Sequence, residues 1–132
     1  MTALVWGVKA SLLEYLVDVG DATTTCSGGA ESLTDGRFRW PAEAVAGGYR
    51  GRGLVRLEAH GGMLDVRLES PALLVEGERV RLELARGGGT VEVGSGIVAG
   101  TRAALAITAA GARMLGDVYP PGTPLDDLTI EP

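Results

Sequence analysis

Few side chains in this sequence could act on a bound atom, and they lie far apart. His60 is the only histidine. An imidazole can share or move a proton, but one histidine cannot hold a metal unaided. Tyr15 offers a phenol oxygen, and Ser11 lies four residues before it, on the same face if the segment is helical. Cys26 is the only cysteine, so there is no intrachain disulfide, and a cysteine-rich zinc or iron–sulfur site is excluded. Gly87-Gly88-Gly89 is followed by neither Lys-Ser nor Lys-Thr, and a strand rather than a helix comes next, so it is not a phosphate loop. No Ser/His/Asp order or carboxylate pair stands out. Each candidate also has an ordinary reading. His60 reads as an exposed turn histidine, Tyr15 as a core aromatic with its hydroxyl at the boundary, and Ser11 as a solvent-facing or back-bonded serine. Trp6 and Trp40 read as core anchors.

The elements that must position these groups are mostly strands. Val55, Leu57 and Ala59 alternate with Arg56 and Glu58. Leu64, Val66 and Leu68 alternate with Asp65, Arg67 and Glu69, and Val80, Leu82 and Leu84 with Arg81 and Glu83. This period of two marks half-buried antiparallel strands. His60-Gly61-Gly62-Met63 reads as a tight hairpin turn between two of them. Further strands are expected at 21–27, 37–40, 72–76, 90–98 and 102–107. One segment has a different period: Val8, Leu12, Tyr15, Leu16 and Val19 form the stripe of an amphipathic helix, with Gly20 placed to end it. A second short helix is expected at 109–115, capped by Thr108 and closed by Gly116 before Pro120-Pro121. The expected fold is mainly β (α+β), an antiparallel sandwich or barrel-like sheet with two short helices, as one domain over residues 1–132.

Composition bounds the function. A chain of 132 residues can bury roughly two-thirds of its unfolded surface, and its 45% hydrophobic content supplies a core. Only 5% is aromatic, so that core must be largely aliphatic. The formal charge of −5, with arginines scattered among glutamates, excludes nucleic acid as a partner and reads as ordinary solvated strand faces. No stretch approaches the roughly 20 apolar residues that span a bilayer. The N-terminus has neither a basic nor an apolar leader region. The chain as given is therefore expected to be cytoplasmic, although a trimmed piece of a cell-surface protein would read the same.

Several blocks together resemble a known family. Trp6-Gly7-Val8-Lys9-Ala10-Ser11-Leu12-Leu13-Glu14-Tyr15 is similar to the W-G-hydrophobic-K-x-S-x-x-x-Y opening of HtaA domains, found in actinobacterial haem-uptake proteins. Asp35-Gly36-Arg37-Phe38-Arg39-Trp40-Pro41 resembles the next block, and Gly51 to Leu64, ending Ala59-His60-Gly61-Gly62-Met63-Leu64, resembles the strand pair that carries the family's histidine. Ser70-Pro71, Ile107 to Ala112 and Tyr119 to Asp126 look like the remaining blocks, in the family's order. Where the family often carries an aromatic residue, this chain has Leu12 and, further on, Met114-Leu115.

The resemblance implies binding of ferric haem b for haem transport, uptake or buffering in iron acquisition. It implies Tyr15 as the iron ligand and His60 as the residue supporting it. Ser11, one turn before Tyr15, is then placed to meet a haem propionate. A phenolate is a hard oxygen donor that suits ferric iron, and tyrosine is an established type of axial haem ligand. A free phenol, with a pKa of about 10, needs help to ionise, and a hydrogen bond from histidine supplies some. No enzymatic role is expected. The expected partners are haem and another haem-transfer protein, with a homo-oligomer left open. Two other readings stand beside this one: a peroxidase-like haem enzyme, recognised by sustained turnover with peroxide, and a structural or protein-interaction β-domain that has lost haem.

Overall fold

The alternating segments form strands whose inward positions are nearly all buried. The computed structural model describes residues 2–132. In chain order the strands are β1 (Thr2–Trp6), β2 (Thr23–Ser27), β3 (Glu31–Ser32), β4 (Phe38–Val45), β5 (Gly48–Gly51), β6 (Leu54–Ala59), β7 (Leu64–Glu69), β8 (Ala72–Glu76), β9 (Arg79–Arg86), β10 (Gly89–Ala99), β11 (Arg102–Ile107) and β12 (Leu128–Glu131). The helices are α1 (Ala10–Val19), between β1 and β2, and α2 (Ala109–Met114), after β11.

Eight strands close into a ring. The order β1-β12-β11-β10-β9-β8-β5-β4 is completed by antiparallel pairing of β4 with β1, in which Trp6 faces Phe38 and Leu4 faces Trp40. Closure leaves the ring without a free edge for another chain to pair with. The short β3 adds to β4 beside it, and β2, β6 and β7 form a separate three-stranded sheet. Val55 and Leu57 from β6, Val66 and Leu68 from β7, and Leu12 and Leu16 from α1 join Leu4, Trp40, Leu73, Leu82, Leu105 and Leu128 in one continuous core. Trp6 and Trp40 are both buried, as core anchors should be.

The expected strands at 21–27, 37–40, 72–76, 90–98 and 102–107 are all present, β4 running on to Val45. Three ring strands, β1, β5 and β12, carry no alternation in the sequence. β1 is covered on both faces and so reads as an unbroken apolar run, Ala3-Leu4-Val5-Trp6. The first helix is shorter than its stripe. Val8 lies before it, buried, with a φ of 61° that a β-branched residue rarely adopts. Gly20 ends α1 in the left-handed conformation, and Thr108 caps α2 by accepting a hydrogen bond from Gly111 N (3.0 Å). At Gly111 the helix lies so close to β10 that a Cβ would come within 2.3 Å of the Val93 carbonyl oxygen.

Candidate functional site

The β6–β7 hairpin, α1 and the segment after α2 converge on one cleft. Helical spacing puts Ser11 and Tyr15 one turn apart on the same face of α1, while Leu12 and Leu16 turn into the core. Tyr15 is therefore not a core aromatic: its side chain is 47% exposed. His60 begins a 3₁₀ turn, His60–Gly62, that joins β6 to β7. Its φ of 56° breaks the extended backbone of β6, so strand alternation no longer decides where the side chain points. The ring turns towards α1, and His60 Nε2 lies 2.6 Å from the Tyr15 hydroxyl, with the two ring centroids 5.9 Å apart. Residues 45 positions apart in the chain thus form a direct hydrogen bond.

A second hydrogen-bonded pair, of two hydroxyls, stands one helical turn away. Ser11 Oγ lies 2.8 Å from the Tyr119 hydroxyl. Lys9 Nζ sits 5.3 Å from the centre of the Tyr119 ring and donates to the Pro124 carbonyl (2.8 Å). The loop carrying Tyr119 is itself fastened to the β1–α1 junction: Asp126 N donates to Val8 O (2.9 Å), and Trp6 Nε1 donates to Asp126 O (2.8 Å). Tyr119 belongs to the C-terminal block of the resemblance, but nothing in the sequence marks it as a site residue. The only local signal is its place before Pro120-Pro121, which stiffens the segment.

Between these pairs lies a cleft of about 720 Å³. Ser11, Leu12 and Tyr15 form one wall, His60, Met63 and Leu64 another, and Leu115, Gly116, Val118 and Tyr119 a third. Leu12 and Leu115 offer aliphatic surface at or beside the positions where the family often has aromatic rings. Most of the lining is apolar, with the polar side-chain atoms confined to three hydroxyls and one imidazole, and the volume falls within the ~300–1,000 Å³ typical of small-molecule sites. Met63 (91%) and Val118 (68%) leave large apolar side chains open to solvent at its mouth. Exposed apolar groups gathered at a concave site mark a binding surface. The structure thus brings Ser11, Tyr15 and His60 to one cleft. Among the described residues, no group of three or more His, Cys, Asp or Glu side chains is placed to hold a metal ion, and no helix is long and apolar enough to cross a membrane.

The family model described as Htaa matches residues 1–86. The chain belongs to the HtaA family. Solved structures extend the likeness to almost its whole length. The C-terminal domain of HtaA from Corynebacterium glutamicum superposes with a TM-score of 0.79 at 22% identity, covering 98% of this chain and 93% of that one. The N-terminal domain of the same protein gives 0.77 at 18% identity, covering 98% and 94%. HtaB from the same organism, described as a heme binding protein, gives 0.70 at 17% identity, with coverage of 98% and 94%. At these identities the superpositions establish a shared fold. No curated protein matches the sequence.

Proposed function

We propose that this protein binds ferric haem in the cleft, with the Tyr15 oxygen as the iron ligand and His60 supporting it, and that it carries or buffers haem without catalysing a reaction. The observation that carries the reading is the 2.6 Å Tyr15–His60 hydrogen bond at the mouth of an apolar cleft. Membership of the HtaA family and the fold shared with the heme binding protein HtaB support it. The residues present fit a porphyrin. The cleft has apolar walls for the macrocycle, and a half-exposed phenol oxygen is within reach of an entering ligand. Bound haem would supply a ferric centre that favours a hard anionic oxygen.

The protein's own part is to hold that oxygen ready. With the phenol neutral, its proton is shared with Nε2. With the phenol ionised, Nε2–H donates to the phenolate and stabilises the negative charge. His60 therefore acts on the ligand oxygen and leaves the metal alone. The Ser11–Tyr119 pair ties the α1 wall to the segment after α2, and Leu12, Leu64 and Leu115 would offer apolar surface to a bound macrocycle.

Titration of the purified protein with ferric haem, followed by absorbance, tests the reading. Saturation near one haem per chain is expected. The spectrum should be lost in Tyr15→Ala and the binding weakened in His60→Ala. A wild-type protein with no saturable spectral change would overturn the proposal. Sustained turnover with peroxide would replace it with a haem enzyme.

A further inference from the structure

The cleft is flanked by opposite charges. On α1, Glu14 follows Ser11 by three residues and Asp18 follows Tyr15 by three, so both carboxylates stand on the helix surface next to the wall residues, and both are exposed. On the other side, past the shared residues Met63, Leu64 and Gly116, the cleft gives way to a second one of about 420 Å³. Arg67 from β7, Arg86 at the end of β9 and Arg113 in the last turn of α2 line it. Asp65 and Glu69 line it too, but Asp65 is taken by Arg56, which reaches it through Nε (2.9 Å) and Nη2 (2.8 Å). Three arginines therefore stand against Glu69 alone, on a chain whose net charge is −5. Among the described residues, none of Glu14, Asp18, Arg67, Arg86 and Arg113 forms an ion pair or a side-chain hydrogen bond. The mouth itself presents Met63 and Val118 to solvent.

A surface with an acidic flank, an apolar centre and a basic flank is its own complement. We propose that this face is an interface between two copies of this chain, paired about a two-fold axis through the mouth, with Glu14 and Asp18 of each copy facing Arg67, Arg86 and Arg113 of the other. A two-fold interface brings the same patch together on both sides, so each flank of one copy meets the opposite flank of its partner. Charge complementarity selects this occupant. A uniformly acidic partner would satisfy the arginines and leave Glu14 and Asp18 facing like charge, whereas a second copy satisfies both flanks. At the centre, Met63 and Val118 of the two copies come together, which takes exposed apolar surface out of water and roofs both clefts. The inference concerns the protein without haem and stands apart from the haem reading.

Analytical ultracentrifugation of the haem-free protein tests the pairing. The wild type should pass from monomer to dimer as its concentration is raised to about 1 mM, and high salt should weaken the dimer by about tenfold or more. Two charge-reversed variants carry the argument, Glu14→Arg/Asp18→Arg and Arg67→Glu/Arg86→Glu/Arg113→Glu. Each alone sets like charges against each other and should stay monomeric over the same range. Mixed in equal amounts they should form a heterodimer, because each then meets opposite charge on both flanks, and that recovery also shows both variants to be folded. A wild type that stays monomeric throughout overturns the proposal, as does a dimer that survives unchanged in both variants, or a mixture of folded variants, checked by circular dichroism, that does not pair. Species that keep growing beyond a dimer overturn the two-fold arrangement. Should a reversed variant fail to fold, the neutral sets Glu14→Gln/Asp18→Asn and Arg67→Gln/Arg86→Gln/Arg113→Gln replace the pair. Each should weaken the dimer by a few-fold, and a dimer indifferent to both overturns the proposal.

Discussion

The closed ring and the cleft wall are built on opposite terms. In the ring, strand alternation sends Val80, Leu82 and Leu84 of β9 and Ala103, Leu105 and Ile107 of β11 inward, and each is buried. In the wall, Tyr15, Met63 and Val118 stand exposed. Backbone strain divides the same way. Among the described residues, four non-glycine residues have positive φ: Val8, His60, Ser70 and Asp117. Two of them border the cleft: His60 lines the site, and Asp117 lies between Gly116 and Val118. Conformations that cost of order 1–3 kcal/mol persist where the surrounding structure holds them, and they gather at functional sites. The ring therefore supplies the stability that lets the wall hold a strained, half-exposed binding surface.

The comparison breaks first if ring and wall residues prove interchangeable in their effects. Leu82 is fully buried and lies between Leu73 of β8 and Gly94 of β10. Leu82→Ala should lower stability by about 2–5 kcal/mol through lost burial and the cavity left behind. A denaturant midpoint measures this. Haem affinity measured well below the new transition should be unchanged. A large loss of affinity in the still-folded variant would mean that the cleft depends on ring packing beyond simple support.

His60→Gly sharpens the contrast from the other side. Glycine relieves a left-handed residue of about 1–2 kcal/mol. It also loosens the unfolded chain by about 0.4–1 kcal/mol and removes a half-exposed hydrogen bond of about 0.5–1.5 kcal/mol. Stability should therefore move by no more than about 1.5 kcal/mol in either direction. Haem affinity should fall by about 10- to 100-fold, as expected for a residue that supports a metal ligand from outside the metal. A stability loss well beyond 2 kcal/mol with affinity intact would make the Tyr15–His60 pair a structural clasp.

The same division decides what the sequence reveals. Strands with one wet face are legible, because the period of two in β6, β7 and β9 reports burial directly. β1 is hidden by being covered on both sides, and β5 by its glycines: at Gly48 a Cβ would lie 2.0 Å from the Leu73 carbonyl oxygen, so packing removes the very side chain that would mark the strand. The amphipathic stripe finds α1 but misplaces Tyr15, since a helix position beside the apolar stripe can face either the core or a cleft. Tyr15 and His60 become partners only through the family resemblance, because no local period links residues 45 apart. A second cleft, beside the first, is less visible still. Arg67, Arg86 and Arg113 each read as an ordinary solvated residue, and only the approach of β7, β9 and α2 brings them to one pocket.

The smallest expected effect lies on the outer face of β6 and β7, which belongs neither to the core nor to the apolar cleft. There the Arg56 guanidinium holds the Asp65 carboxyl below the usual carboxylate range, chiefly by hydrogen bonding. A carboxyl whose folded pKa is depressed adds stability at pH values above its unfolded pKa, and that stability is lost as the pH falls through the folded value. The contribution of this pair should thus be constant at neutral pH and fade only in acid, below about pH 4. Because the pair is open to solvent, salt should weaken it as well. Arg56→Gln should then lower the unfolding midpoint slightly at pH 7, and the gap to the wild type should close as both are titrated into acid. A gap of unchanged size from pH 7 far into acid would show that Arg56 stabilises the hairpin through its aliphatic stem packed along the sheet, with its charge adding nothing.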